Sequence, residues 1–141
     1  MFKKIFKREV EKNKDNNNIL IAALLIHSAK IDDNYTDSEK DIIKKAIIKL
    51  NLASPDKVNV LLDEAEKKEN EANQIVEFTK EIKKKPMEYR LKVIEILWKI
   101  VYSDGTNDSY ESNLIRRVCG LLYVSDKESG DIKIKVKKLV K

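Results

Sequence analysis

The fold is decided by the stretch at residues 91–124, which reads LKVIEILWKIVYSDGTNDSYESNLIRRVCGLLYV. Apolar residues recur there at helical spacing, Asp104 and Gly105 interrupt the pattern, and a second helical pattern follows. The second pattern opens on Asp108, with Glu111 three residues later, a pairing that is typical of a capped helix start. The stretch therefore predicts an apolar helix, an acidic loop and a capped amphipathic helix.

The same three-part pattern occurs earlier in the chain, at residues 19–52, and a shift of 72 residues aligns the two stretches. Under this shift Asp32 corresponds to Asp104, and Thr36 corresponds to Asp108. Each unit alone would leave apolar surface in water, which is unfavourable by about 25 cal/mol per Å². We therefore expect the two units to pack together, with their two apolar helices at the centre of the core.

The remaining segments also predict helices. Ser54 followed by Pro55 indicates a helix start, residues 72–82 show the spacing of an amphipathic helix, and Pro86 opens the next helix. Residues 126–140 fit either a strand or a helix. A helix is favoured because no partner strand is found elsewhere in the chain.

The predicted fold class is all-α, a single compact helical bundle of about seven to eight helices. It is built from two pseudo-repeated helix–acidic loop–helix units. The helical domain spans residues 19–141, and residues 1–18 precede it as a basic amphipathic stretch and a polar linker.

The composition of the 141 residues excludes several classes of protein. Three Gly and two Pro are too few for a β-sandwich or barrel with many tight turns, and one Cys excludes a disulfide framework. The net charge of +5 belongs to the two ends of the chain, whereas a nucleic-acid binder more often carries basic residues across a folded face. Nucleic acid is therefore not an expected partner. No apolar run reaches the roughly 18 residues of a membrane span.

No catalytic constellation is found in the sequence, which has one His and no Gly-rich phosphate loop. We therefore predict a protein that is not an enzyme. His27 is expected to be a hydrogen-bonded residue near the rim of the core. Trp98 and Cys119 are expected to lie in the core, the thiol as a small apolar group.

The acidic loops are the candidate metal site, because carboxylate oxygens are the ligands that Ca²⁺ and Mg²⁺ prefer. A divalent cation is the one cofactor that the sequence suggests. The alternative is that these carboxylates only cap helices, which stabilises by roughly 0.5–2 kcal/mol per cap. The candidate ligands are Asp32, Asp33, Asp37, Glu39, Asp104, Asp108 and Glu111.

The N-terminal stretch, residues 1–12, is a candidate membrane contact. Apolar residues there fall on one helical face, and basic residues flank them, a pattern that suits weak, reversible binding to an anionic membrane. The alternative is that the stretch folds back on the domain or stays disordered. The contact residues would be Phe2, Ile5, Phe6, Lys3, Lys4 and Lys7. We expect a cytoplasmic protein, with peripheral contact at the inner face of the membrane as the alternative.

The second unit resembles the tellurite-resistance protein B-like (TerB-like) family. The resemblance rests on residues 97–105, on Tyr110-Glu111, and on the two following runs at 114–118 and 121–125. The first unit is similar to the first half of that family. Two positions depart from the family pattern, because Asp33 and Tyr123 stand where the family has Gly.

The resemblance implies an all-α, cytoplasmic, non-enzymatic module, similar to the helical domain of some membrane-anchored DnaJ-type co-chaperones. It also implies a role in stress response, including metal-oxyanion stress, and a divalent metal at the acidic loops. Three functions follow as hypotheses: docking of a protein partner, binding of a divalent cation, and peripheral association with a membrane. The docking hypothesis predicts a contiguous apolar or acidic groove on the surface.

Overall fold

The computed structural model describes residues 17–30, 35–71, 75–103 and 109–139, with side chains described throughout except at 109–112. Within these ranges the backbone forms only helices and the turns that connect them, which confirms the predicted all-α class. The helices are α1 (residues 17–30), α2 (Asp37–Lys49), α3 (Val58–Glu71), α4 (Val76–Thr79), a 3-10 turn (Ile82–Lys84), α5 (Met87–Tyr102), α6 (Ser109–Leu122) and α7 (Asp126–Leu139).

The core is built around α1 and α5, the two helices with near-continuous apolar sequences. All of residues 20–26 in α1 are buried, and eight residues of α5 are buried between Val93 and Tyr102. A helix that is apolar all round has no face suited to water, so it is placed where other helices cover it. α5 contacts α2, α6 and α7, and these amphipathic helices supply the covering faces.

Two helices begin with a reciprocal cap. The sequence predicts the cap at α2 and not the one at α7, while the cap predicted at Asp108 lies outside the described residues. At α2, the Glu39 N–H donates to Thr36 Oγ1 at 3.1 Å, and the Thr36 N–H donates to Glu39 Oε1 at 3.1 Å. At α7, Ser125 and Glu128 exchange the same pair of hydrogen bonds. Each box satisfies backbone donors that have no partner within the helix.

Two helices end in the same way. Asn51 follows α2 with φ 59°, and Tyr123 follows α6 with φ 58°. The left-handed residue turns the chain so that the next N–H can reach back into the helix. The Leu52 N–H donates to the Ile47 carbonyl at 2.9 Å, and the Val124 N–H donates to the Cys119 carbonyl at 2.9 Å. These equivalent positions are separated by 72 residues, the shift that aligns the two sequence units. The repeat as a whole stays a prediction, because both acidic loops lie outside the described residues.

Two sequence expectations differ from the structure. The expected amphipathic helix over residues 72–82 is a single α-helical turn at Val76–Thr79 followed by the 3-10 turn at Ile82–Lys84, with residues 72–74 outside the described range. Burial of Phe78 and Ile82 fixes these short turns, so tertiary packing replaces helix length as the stabilising factor. α3 begins at Val58 rather than beside Pro55, because the Lys57 N–H first closes a turn onto the Ser54 carbonyl.

Residues 126–140, which the sequence left open between strand and helix, contain α7 at Asp126–Leu139. Val136 is fully buried and Ser129 nearly so, while Ile134 is exposed. That placement follows the helical period, not the alternation of a strand. None of the described helices is both long enough and apolar enough to cross a bilayer.

Candidate partner-binding groove

A surface groove of about 360 Å³ lies where α2, α5 and α7 meet. It is open to solvent along one side, and side chains from all three helices line it. We call it the α2/α5/α7 groove. Its lining residues are Ser38, Ile42, Lys45, Ala46 and Lys49 from α2, Ile96, Lys99 and the adjoining Ser103 from α5, and Val136 and Leu139 from α7.

The floor of the groove is apolar. Ala46, Ile96 and Val136 are buried in the core, and Ile42 is partly buried against it. Leu139 also lines the groove, and 67% of its surface is exposed. The amphipathic faces of α2 and α7 therefore continue past the core and leave apolar surface in contact with water. This groove matches the apolar form of the feature that the docking hypothesis predicts.

The rim of the groove is basic. Among the residues that the structure describes, the charged side chains that line it are those of Lys45, Lys49 and Lys99. Lys99 lies 3.8 Å from the Glu95 carboxylate, which also has Lys135 at 3.5 Å. Neither Lys45 nor Lys49 has a carboxylate of the described residues within ion-pair distance. Both lysines are exposed to solvent.

A second polar feature ties α1 to α3. The Glu69 carboxylate, 10% exposed, lies 3.1 Å from His27 Nδ1 and accepts a 2.8 Å hydrogen bond from Lys30 Nζ. One turn earlier, Glu66 accepts a 3.0 Å hydrogen bond from the Tyr35 hydroxyl. Burial, and then the negative charge of Glu66, raise the pKa of Tyr35 far above its usual value. These contacts fasten α3 to both sides of the first acidic loop, and they place His27 near the rim, hydrogen-bonded as expected.

Trp98 and Cys119 lie in the core, as the sequence indicates. The Trp98 Nε1–H donates to Ser129 Oγ at 3.2 Å, which joins α5 to α7. Burial raises the pKa of the Cys119 thiol, so at neutral pH it remains protonated and poorly nucleophilic.

The seven predicted metal ligands divide between described and undescribed parts of the chain. Asp32, Asp33, Asp104 and Asp108 lie outside the described residues, and so does the side chain of Glu111. Asp37 is exposed in the first turn of α2. Glu39 is 2% exposed and its Oε1 accepts from both the backbone and the hydroxyl of Thr36, which is the capping role. The structure thus supports capping at Glu39, and a divalent cation stays a prediction.

Among the side chains that the structure describes, no group of three or more His, Cys, Asp or Glu residues is arranged to hold a metal ion. The predicted membrane contacts, Phe2, Ile5, Phe6, Lys3, Lys4 and Lys7, all lie outside the described residues, and membrane contact also stays a prediction.

Sequence reasoning predicted a groove but not its location or its lining residues. Its walls come from three helices that are far apart in the chain, so no local motif marks it. One signal was present, since Lys45 and Lys49 follow the apolar stripe of α2 at a spacing of four residues, which places them together on one edge of the helix.

Comparison with models of protein families identifies a match. A family model described as "Tellurite resistance protein TerB" matches residues 18–134, which is most of the chain. Searches of curated proteins and of solved structures gave no significant match.

Proposed function

The chain belongs to the tellurite resistance protein TerB family, and from that premise we propose that it is a non-enzymatic module that docks a partner protein in a stress response. The α2/α5/α7 groove is the docking site in this proposal. The family supports the general role of a tellurite-resistance-like module, and the groove supports the more specific role in docking.

The observation that carries the proposal is the apolar floor left open between three packed helices. Apolar surface in water is unfavourable by about 25 cal/mol per Å², and covering it is the main source of affinity in most protein associations. Concave apolar sites with a few polar groups at the edge are the usual form of binding sites. The groove has that form, because Ser38, Ser103 and the lysines surround its apolar floor.

The non-enzymatic part of the proposal is supported by the state of the cysteine. Cys119 is buried and protonated at neutral pH, and reactive cysteines need a lowered pKa and access to solvent.

Site-specific photocrosslinking in cells of the source organism tests the docking proposal. A photoreactive side chain is placed at Ser38 or at Leu139, which line the groove, and the control position is Val76, which is exposed on α4. We expect both groove positions to give the same protein adduct, with a yield that rises under metal-oxyanion stress, and Val76 to give none. The proposal is wrong if the groove positions give no protein adduct, or if Val76 gives the same adduct in equal yield.

A further inference from the structure

We propose that the occupant of the α2/α5/α7 groove is an amphipathic helix of a partner protein with acidic residues beside its apolar stripe. This inference rests on the proposed docking function and adds the chemistry of the partner. It is argued from the length of the groove, the spacing of its lysines and the sign of its charge.

The length of the groove fits a short helix. Along α2 its wall runs from Ser38 to Lys49, which corresponds to about 16 Å at 1.5 Å per residue. A partner helix of about 11 residues has the same length. The volume of 360 Å³ equals that of about twelve water molecules, which is room for two or three leucine-sized side chains and not for a backbone. The groove therefore receives one apolar face, as helix-binding grooves do.

The spacing of the lysines fits carboxylates on a helix. Lys45 and Lys49 are four residues apart on α2, a separation of about 6 Å along the helix axis. Two acidic residues four apart on a partner helix have the same spacing, so each can face one lysine. Lys99 on α5 also lines the groove, but the Glu95 carboxylate lies beside it, so the match in spacing rests on Lys45 and Lys49. The lysine stems cover the edge of the apolar floor while their ammonium groups remain in water.

The sign of the charge separates this occupant from the N-terminal stretch and from a second copy of the chain. The N-terminal stretch, residues 1–14, has six basic and two acidic residues, so it carries the same sign as the rim. A second copy of the chain carries a net charge of +5. Like charges brought together at an interface oppose binding, whereas an acidic helix is attracted to the rim. A single anionic headgroup would match one lysine and leave the paired spacing of Lys45 and Lys49 without a counterpart.

The test selects peptides against the full chain from a displayed random library of about 12 residues, a length that spans the groove as a helix. The charge-reversed protein is Lys45→Glu plus Lys49→Glu. The matched control is Lys67→Glu plus Lys80→Glu, which makes the same change in net charge at exposed positions outside the groove lining. Thermal unfolding of both double variants checks that they remain folded.

We expect the selected peptides to carry apolar residues at helical spacing with Asp or Glu beside them. Their affinity should fall about tenfold or more for the Lys45→Glu plus Lys49→Glu protein, and should be unchanged for the control. It should also weaken as salt is added, because the contacts at the rim are exposed. Competition by the peptide against crosslinking at Leu139 locates the binding to the groove.

Other results would overturn the inference. Selected peptides that lack acidic residues but still block crosslinking at Leu139 would leave the docking function standing and exclude the acidic partner. If no peptide is selected, and the protein binds phosphatidylglycerol vesicles in a way that Lys45→Glu plus Lys49→Glu abolishes, the groove binds a lipid instead. If analytical ultracentrifugation shows a dimer that dissociates in Lys45→Glu plus Lys49→Glu but not in the control, the groove binds a second copy of the chain. Equal binding to both double variants would show that the lysines do not recognise the peptide.

Discussion

Asn51 and Tyr123 have almost the same left-handed backbone angle, φ 59° and 58°. Tyr123 directly follows α6, and Asn51 follows α2 after the capping residue Leu50. After each of them, the following N–H reaches back to a carbonyl of the last helical turn at 2.9 Å. Asn tolerates this conformation because its short polar side chain can hydrogen-bond to nearby backbone. Tyr has no such compensation, so a positive φ is unfavourable for it. The chain thus has an unfavourable residue at one of two equivalent helix ends.

Replacing Tyr123 tests that difference. We expect Tyr123→Gly to have a free energy of unfolding about 1 kcal/mol higher than Tyr123→Ala, because both lose the ring and only Ala keeps the Cβ penalty at positive φ. Urea unfolding of both variants measures the difference. Replacing Asn51 by Gly should raise the free energy of unfolding by less than replacing Tyr123 by Gly does, because Asn already tolerates this backbone angle. Equal stability of the Gly and Ala variants at position 123 would show that this backbone angle stores no strain.

The caps of α2 and α7 predict a second set of effects. Thr36→Ala removes the acceptor of the Glu39 N–H, and Ser125→Ala removes the acceptor of the Glu128 N–H. Each should lower the free energy of unfolding by about 1 kcal/mol, as loss of a cap usually does. Thr36→Ser keeps the hydroxyl and serves as the control, with little expected change. Thermal unfolding followed by circular dichroism measures all three, and a loss in Thr36→Ser as large as in Thr36→Ala would rule out the capping explanation.

The junction of α1 and α3 depends on the charge of Glu69. Glu69→Gln retains the shape of the side chain but loses the negative charge that faces His27 and Lys30. We expect the free energy of unfolding to fall by about 1 kcal/mol. This is less than a buried charged hydrogen bond usually contributes, because His27 and Lys30 are both partly exposed to solvent. The loss should shrink as salt is added. Asp63→Asn, an exposed change on the same helix, is the control in urea unfolding, and it should have little effect.

Stability at alkaline pH depends on Tyr35. Its pKa in the folded protein is raised by burial and by the Glu66 carboxylate, above the value of about 10 in an unfolded chain. The unfolded state therefore loses this proton first, so the stabilisation is fully present below about pH 10 and is lost as pH rises above it.

We expect Tyr35→Phe to lose less stability than the unmodified chain when urea unfolding is repeated between about pH 8 and about pH 11. The control is Tyr123→Phe, since the Tyr123 ring is 64% exposed, and its alkaline loss should match that of the unmodified chain. Identical pH profiles for Tyr35→Phe and the unmodified chain would mean that the pKa of Tyr35 does not differ between the folded and the unfolded chain.

The helices and their caps were predictable because their signals are local. The apolar runs that became α1 and α5, and the Thr36–Glu39 pair at the start of α2, act over a few residues, so the sequence contains the whole cause. The segment at 75–84 was not predictable in this way. Its apolar residues recur at helical spacing, but this pattern does not give the length of the helix. The turns around Phe78 and Ile82 are fixed by burial of these side chains against other helices.

The all-α class and the core status of Trp98 and Cys119 thus followed from the order of residues alone, since burial of apolar side chains at helical spacing leaves few alternatives. The family followed from the resemblance of residues 97–125 to a known motif, not from helical spacing. The groove depended on tertiary structure. Ile42, Ile96 and Leu139 are more than 40 residues apart from one another in sequence, and only the packing of α2, α5 and α7 brings their side chains to one surface. The lysines beside them gain a shared role for the same reason, because charges from separate helices act together only once the helices are packed.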